Sequence, residues 1–334
     1  MKQILILLIS VILFSCSESE IRYHIDETTS PSDTLTYLKS DMTPLNGMVY
    51  CEFGDNGKFV NGEKEGLWKN WYENGQIFVE ENYIDGKKDG LCQKWFKNGQ
   101  LLLEGEYTDG KEDGLCKVWN VNGQLLLERI CIDGKDVGLF KSWYGNGQLK
   151  SEDNFKDGKK EGLWKTWYEN GQLKYESNYK NDKEEGLFKS WYENGQLKYE
   201  SNYKNGKEEG LWEKWYENGQ LKSESNYKNG SLDGLYKIWY ENGQLNWETN
   251  YIDGKEDGLN EKWYSNGQPQ FKINYTDGKE DGLSKRYDKN GVLKSTTNFK
   301  DGLINGKFKY YVDGKLFFEM NYKNDEQIGK TIYF

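Results

Sequence analysis

Acidic side chains are the most abundant groups in this sequence that could do chemistry. The chain has 334 residues, with 55 Asp and Glu and one histidine, His24. A retaining glycosidase needs two carboxylates about 5–5.5 Å apart, but the acidic residues recur here at regular intervals, which is typical of a solvated strand face. A single histidine excludes a multi-histidine metal site and a Ser–His–Asp triad in the main body of the chain. We therefore expect no catalytic residue, no cofactor and no enzymatic activity.

Loops of the sequence Asp-Gly-Lys-Glu-Asp-Gly are the best candidates for a metal site. They span residues 109–114, 253–258 and 277–282. Calcium sites need several oxygen atoms that converge on one point, and the lysine within each loop opposes such binding. We interpret these loops as turns in which glycine supplies a positive φ, and we expect no metal site.

The N-terminal segment predicts that the protein is located in the bacterial cell envelope. Lys2 precedes an apolar run of eleven residues, 4–14, which is too short to span a bilayer. The run leads into Leu-Phe-Ser-Cys, ending at Cys16, and this motif resembles the bacterial lipobox. Residues 1–15 are thus predicted to be a lipoprotein signal peptide and Cys16 the lipidation site, with an ordinary secretory signal as the alternative. The expected location is the outer membrane, on its periplasmic or surface side, with the N-terminal lipid as the only contact with the membrane.

The segment after the lipobox has the composition of a tether. Residues 16–46 are rich in Ser, Thr and Asp and contain two of the three prolines. Such a segment buries too little apolar surface to order itself. We therefore predict that residues 16–46 comprise the lipidated cysteine and a disordered tether.

Glycine recurs with a period of 24 residues from Gly66 to Gly306. A fixed period in this range indicates a repeat architecture. The period predicts a degenerate repeat over residues 47–65, ten full repeats over 66–305 and a C-terminal capping repeat over 306–334.

Each repeat has the pattern of one β-hairpin. Two short runs rich in Trp, Tyr and Leu are separated by Asn-Gly, the strongest local hairpin signal. A typical repeat has no glycine-free stretch longer than ten residues, which leaves no room for a typical helix. The predicted fold is all-β, an elongated single-layer antiparallel β-meander of 24-residue β-hairpin repeats.

Charge patterns across the hairpin predict its register. A two-residue type I′ turn at Asn74-Gly75 places Lys69 opposite Glu80, and opposite charges at facing positions stabilise a sheet by about 0.2–1 kcal/mol per pair. Equivalent positions carry opposite charges in later repeats, once with both members exchanged: Lys165/Glu176 and Glu261/Lys272. The like-charge pair Glu213/Glu224 is an exception that this register does not explain.

With this register, one face of the sheet is aromatic and the other is polar. Stacked Trp and Tyr side chains serve as sugar platforms or as protein hot spots, whereas in the alternative interpretation they bury one another across the sheet. The candidate binding surface lies in the most nearly identical repeats and comprises Trp164, Tyr168, Tyr175, Tyr179, Tyr192, Tyr199, Tyr203, Trp212 and Tyr216.

Cysteines replace large side chains at some repeat positions. Cys92 and Cys116 are equivalent residues in neighbouring repeats, so an intervening strand should hold them about 10 Å apart, beyond the ~7 Å reach of a disulfide. We expect both to be small hydrophobic residues. The disulfide states of Cys51, Cys92, Cys116 and Cys131 stay open.

The repeat resembles the MORN (membrane occupation and recognition nexus) family in its bacterial variant. The resemblance rests on Trp-Tyr-Glu-Asn-Gly-Gln-Leu-Lys at 167–174 and on Tyr-Lys-Asn-Gly-Lys-Glu-Glu-Gly at 203–210, and it extends from about residue 47 to the end. It implies a repeat scaffold that binds proteins, with lipid binding proposed for some members. Proteins with this variant are often labelled antitoxin components of toxin–antitoxin systems.

These features together predict a membrane-anchored envelope lipoprotein that acts as a non-catalytic scaffold for a protein partner. The net charge of −10 disfavours nucleic acid and anionic lipid surfaces as partners. Two alternatives are a glycan-binding surface protein and an antitoxin or immunity component of a toxin–antitoxin system.

Overall fold

The computed structural model describes residues 20–31 and 35–334. The chain divides into two compact units, Met1–Gly123 and Gln124–Phe334. The predicted signal peptide and Cys16 lie outside the described residues, so the lipidation site stays a prediction. Within the described ranges, no helix combines the length and the apolar character needed to cross a membrane.

The first unit is an antiparallel meander with an additional strand at its N-terminal edge. Its strands are β1 (Arg22–His24), β2 (Thr28–Thr29), β3 (Tyr37–Leu38), β4 (Gly47–Cys51), β5 (Gly54–Val60), β6 (Glu63–Trp71), β7 (Ile77–Ile84), β8 (Lys87–Trp95), β9 (Leu101–Thr108) and β10 (Lys111–Trp119). Strands β4 to β10 pair in chain order. Strand β1 runs parallel to β4, a short 3₁₀ turn at Ile25–Glu27 follows it, and β2 pairs with β3.

The expectation of a disordered tether is wrong for the described part of residues 16–46. Strand β1 pairs with β4, and Leu45 is fully buried against Val49, Phe59 and Trp68. The composition of the segment misleads because it does not have to build a core of its own. An exposed sheet edge offers unpaired backbone groups and apolar side chains, and a few residues suffice to cover them.

The second unit continues the same pattern of 24-residue hairpins. Its strands are β11 (Leu125–Ile132), β12 (Lys135–Trp143), β13 (Leu149–Lys156), β14 (Lys159–Lys160), β15 (Gly162–Trp167), β16 (Leu173–Lys180), β17 (Lys183–Trp191), β18 (Leu197–Lys204), β19 (Lys207–Trp215), β20 (Leu221–Lys228), β21 (Ser231–Leu232), β22 (Gly234–Trp239), β23 (Leu245–Ile252), β24 (Lys255–Glu256), β25 (Gly258–Trp263), β26 (Pro269–Thr276), β27 (Lys279–Glu280), β28 (Gly282–Tyr287), β29 (Leu293–Lys300), β30 (Leu303–Val312), β31 (Lys315–Lys323) and β32 (Glu326–Tyr333). Pairs such as β14 and β15 together occupy the place of one longer strand, which is interrupted before Gly162, where φ is +81°. The predicted all-β meander of hairpin repeats is confirmed.

The predicted turn type at Asn74-Gly75 is wrong. Only Gly75 has a positive φ there, and its N–H donates to the carbonyl of Tyr72 while Gln76 accepts from the N–H of Tyr72. This is a three-residue hairpin loop that closes on a left-handed glycine. The two-residue turn with two positive φ values occurs at the opposite corner of the repeat, for example at Asp85-Gly86 with φ of 47° and 73°.

The predicted register is nevertheless confirmed, because a bulge beside the longer loop restores the alignment. Lys69 faces Glu80, but Trp71 faces Ile77, so one residue of β7 is left out of the pairing. Five of the predicted ion pairs form, one in the first unit and four in the second: Lys69–Glu80 at 2.9 Å, Lys165–Glu176 at 3.7 Å, Lys189–Glu200 at 3.1 Å, Lys237–Glu248 at 3.4 Å and the exchanged pair Glu261–Lys272. Glu213 faces Glu224 as predicted, and it also faces Glu200.

Candidate interaction surface

The aromatic face of the second unit is a row of rings that touch across neighbouring strands. Phe155, Trp164 and Tyr179 follow one another with ring centroids 5.2 Å apart at each step. The row continues through the pairs Tyr175–Phe188 at 6.2 Å, Phe188–Tyr203 at 6.1 Å, Tyr199–Trp212 at 5.6 Å, Trp212–Tyr227 at 6.2 Å and Tyr236–Tyr251 at 6.1 Å. It contains six of the nine predicted surface residues: Trp164, Tyr175, Tyr179, Tyr199, Tyr203 and Trp212.

Small side chains between the rings make this contact possible. Ser177 is the cross-strand neighbour of both Trp164 and Phe188 and is only 2% exposed. Ser201 has the same relation to Phe188 and Trp212 and is 1% exposed. A serine leaves room for the flanking rings to close over the middle strand, so the rings bury the strand below and stay half-exposed above, except for the buried Trp164.

Three predicted surface residues have a different, structural role. The hydroxyl groups of Tyr168, Tyr192 and Tyr216 donate to the carbonyl oxygen 23 residues further on, at 2.8–2.9 Å. The same bond recurs from Tyr144 to Trp167 and from Tyr240 to Trp263. These tyrosines tie each repeat to the next.

A lysine lies over the rings in some repeats. The ammonium nitrogen of Lys160 lies 4.1 Å from the ring centre of Trp164 and 4.8 Å from that of Tyr179. Lys64 lies in the same way over Trp68 and Tyr83 in the first unit, at 4.7 and 4.8 Å. Burial lowers the pKa of Lys64, and the carboxylate of Glu81 opposes this shift. The two rings and the space above them, which we call the cation slot of a repeat, can therefore hold an ammonium group.

Other repeats place a carboxylate where these two place a lysine. Glu184 is equivalent to Lys160 and faces Tyr179, whose hydroxyl lies 3.4 Å from its Oε1. Burial, followed by the negative charge of Glu184, raises the pKa of Tyr179 to about 12. Burial likewise raises the pKa of Glu184, and Glu208 adds to the effect. In the sequence these glutamates look like ordinary turn residues, and only the change from Lys160 to Glu184 between equivalent positions distinguishes them.

The opposite face combines the lysine–glutamate ion pairs with half-exposed leucines. Six leucines of the second unit that directly follow a repeat glycine are 37–48% exposed: Leu139, Leu163, Leu187, Leu211, Leu259 and Leu283. Leu163 lies on this face, since it pairs with Asn178 beside the Lys165–Glu176 pair.

Cys92 and Cys116 lie where the prediction places them. Both are buried cross-strand neighbours of Gly105, so strand β9 separates them. Burial raises the pKa of the Cys92 thiol to about 11, which makes it a poor nucleophile. Among the described residues, no group of three or more His, Cys, Asp or Glu is arranged to hold a metal ion.

Comparison with known protein families identifies the repeat. The profile described as the MORN repeat variant matches nine segments, which together make up more than half of the chain: 64–85, 88–109, 136–157, 160–181, 184–205, 208–229, 232–253, 256–277 and 280–301. A search of the curated proteins found no match.

Two solved structures illustrate a distant similarity. The crystal structure of TcdB2-TccC3-Cdc42 aligns over 88% of this chain and 18% of the other, with 12% identity and a TM-score of 0.18. The crystal structure of TcdB2-TccC3 aligns over 86% and 19%, also with 12% identity and a TM-score of 0.18. The chain thus spans less than a fifth of these chains, and at such scores the likeness carries no functional argument.

Proposed function

The chain belongs to the MORN repeat variant family, and on that basis we propose that it is a membrane-anchored lipoprotein of the bacterial cell envelope whose repeats form a non-catalytic scaffold for a protein partner. Repeat proteins of this kind present extended binding surfaces. The lipid on Cys16 would hold the scaffold at the membrane, and the partner would be another protein of the envelope.

The row of rings in the second unit is the observation that carries this proposal. Trp and Tyr supply much of the binding energy at protein interfaces, and here they recur with Phe in four groups of touching rings along the sheet. Every named element of the second unit is a strand of the meander, so within the described residues no further layer of the chain covers the row. Such an aromatic patch favours a binding role.

Capture of the partner tests the scaffold proposal. Residues 17–334 would be used as bait in crosslinked envelope extract, and bound proteins would be identified by mass spectrometry. A variant with Tyr175→Ser and Tyr199→Ser removes two rings of the row, and serine suits these positions because Ser151 and Ser223 are their equivalents. We expect the parent to recover one dominant partner and this variant to lose at least nine-tenths of it.

A matched control changes the opposite face. The variant Leu187→Ser/Leu211→Ser replaces two half-exposed residues and should recover the partner normally. If the ring variant kept the partner and the leucine variant lost it, the interface would lie on the face of the leucines, and the row of rings would not be the binding surface. Recovery of polysaccharide without a protein would refute the scaffold and favour the glycan alternative, whereas a toxin-like partner would favour the antitoxin alternative.

The anchor is tested separately by Cys16→Ala. Because the acyl chains attach to this residue in our proposal, the variant should lose its membrane retention in cell fractionation. Unchanged membrane association would refute the lipoprotein assignment without affecting the scaffold.

A further inference from the structure

Three consecutive repeats of the second unit keep the ring pair of the cation slot but lack its lysine. The ring centroids lie 6.1–6.2 Å apart in these slots, compared with 5.2 Å and 6.5 Å in the two slots that hold a lysine. The three ring pairs are Phe188–Tyr203, Trp212–Tyr227 and Tyr236–Tyr251. The residues in the position of Lys160 are Glu184, Glu208 and Leu232.

Carboxylates make these three slots attractive to a cation. Glu184 and Glu208 occupy the position of Lys160 in the first two slots, and Glu256 faces Tyr251 at the third. These carboxylates lie close enough to act on the rings: burial, followed by the negative charges of Glu184 and Glu208, raises the pKa of Tyr203. In the part of the chain that the structure describes, no lysine or arginine lies within 4 Å of these three carboxylates. An aromatic face combined with carboxylates is the arrangement that recognises ammonium and guanidinium groups.

A buried hydroxyl group beside the third slot also lacks a partner. Thr249 is the cross-strand neighbour of Tyr236 and lies on the same face of β23 as Tyr251. Its side chain is 1% exposed, and its Oγ1 has no hydrogen-bond partner among the described residues. A buried hydroxyl usually has such a partner, and a donor group that enters the slot would supply one.

We propose that these three slots bind lysine or arginine side chains from an extended segment of the partner protein, an inference that rests on the proposed scaffold function. The lysine slots of the same chain show the geometry, with Lys160 over Trp164 and Tyr179 as the internal counterpart of the bound side chain.

The spacing of the slots defines the segment further. Successive slots are two strands apart, or about 9.6 Å at about 4.8 Å per strand. A polyproline II segment has three residues per turn and advances about 9.3 Å per turn, so every third side chain faces the same way at nearly this spacing. The partner segment therefore carries a basic residue at every third position.

Peptide titration of the full chain, purified in mild detergent, tests the inference. The probe is acetyl-(Lys-Pro-Pro)₄-amide, and the spacing control (Lys-Pro-Pro-Pro)₄ carries the same number of lysines. We expect the first peptide to bind at least tenfold more tightly, as measured by calorimetry at low salt. Equal affinities would overturn the proposal, because general attraction between opposite charges does not depend on spacing.

Two double variants locate the binding site. Glu184→Lys/Glu208→Lys fills two slots with the chain's own lysines, as in the repeat of Lys160, and should weaken the first peptide at least tenfold. Glu193→Lys/Glu217→Lys makes the same charge change at exposed turn residues and should weaken it less than threefold. Equal losses in the two variants would overturn the proposal. If the slot variant does not fold, Trp212→Ser replaces it, since Ser284 is the equivalent residue of a later repeat.

Competition in the capture experiment separates this inference from the proposed function. Release of the captured partner by (Lys-Pro-Pro)₄, but not by the spacing control, supports both. A captured partner that the peptide does not release overturns the inference and leaves the scaffold standing. Spacing-dependent peptide binding without a captured partner supports the slots and counts against the scaffold.

Discussion

Replacing Glu213 by lysine should stabilise the second unit. Glu213 faces Glu200 on one side and Glu224 on the other. Equivalent residues in neighbouring repeats, such as Lys189 and Lys237, form ion pairs with their facing glutamates at 3.1 and 3.4 Å. The variant Glu213→Lys converts two like-charge contacts into two opposite-charge contacts and restores the alternation of the ladder.

The expected gain is about 1–4 kcal/mol, because each of the two cross-strand charge pairs is worth about 0.2–1 kcal/mol and a like pair destabilises by a similar amount. The lower end is the better expectation, since Lys189 already pairs with Glu200 and Lys237 faces Glu224. A gain of about 1 kcal/mol corresponds to a roughly fivefold smaller equilibrium constant for local opening, and thus to roughly fivefold slower hydrogen exchange.

The gain also has a defined pH dependence. Burial, followed by the charges of Glu224 and Glu200, raises the pKa of Glu213. A carboxyl group whose pKa is higher in the folded state destabilises that state once the pH exceeds the unfolded value of about 4.3, and fully so above the folded pKa. The advantage of Glu213→Lys should therefore be complete at neutral pH and shrink as the pH falls through the pKa of Glu213.

Hydrogen exchange of amides in β18 to β20 is the suitable assay, because a repeat array need not unfold in a single step. Thermal unfolding at low and high salt complements it, since screening by salt should reduce the gain. The control Glu217→Lys makes the same charge change at an exposed turn. Equal protection in both variants, or a gain that persists in 1 M salt, would show that facing charge pairs are not the cause.

Three further substitutions test particular contacts. Gly57→Ala should destabilise the first unit by about 1–3 kcal/mol in thermal unfolding, because the new methyl group would collide with the indole of Trp68. The control Gly145→Ala places its methyl group in open space and should leave stability unchanged. Tyr168→Phe should cost about 0.5–1.5 kcal/mol by removing the 2.9 Å bond to the next repeat, and equal stability of Tyr168→Phe and the parent would contradict its role. Glu81→Gln should reduce the loss of first-unit stability as the pH falls below about 4.5. Burial raises the pKa of Glu81, but hydrogen bonds from Lys88 and Tyr83 outweigh it and lower the pKa, so protonation of Glu81 destabilises the parent. An unchanged acid profile would refute this.

Most of the fold could be predicted because its signals recur in every repeat. The glycine period, the Asn-Gly turns and the facing charges each support the same hairpin, and the exchange of both charges at Glu261 and Lys272 fixes its register. The wrong turn type did not change the predicted register. The loop is one residue longer than predicted, and the bulge beside Trp71 shifts the pairing by one residue in the opposite direction. The sequence pattern alone cannot distinguish a two-residue turn from a three-residue loop with a bulge, because both bring Lys69 opposite Glu80.

Three residues of the candidate surface are separate from the row of rings. Tyr168 follows the last residue of β15, Trp167, just after the pairing shifts because Lys174 of β16 is left out. Beyond that shift, the hydroxyl of Tyr168 donates to the next repeat instead of joining the row of rings. Bulges leave no clear trace in the residues themselves, so alternation is reliable only up to the first one.

Differences between repeats at the position of Lys160 then carry the functional information. A lysine over two rings stabilises its own repeat, by about 0.5–1 kcal/mol where it is exposed, and Lys64 and Lys160 both make this contact. The next three repeats keep the rings but give up the lysine, and two of them place a carboxylate there instead. Stability of the sheet alone would favour retaining the lysine, because the carboxylate of Glu184 forms no ion pair with any described residue and burial raises its pKa. Recognition of a cation from another molecule accounts for both the retained rings and the reversed charge.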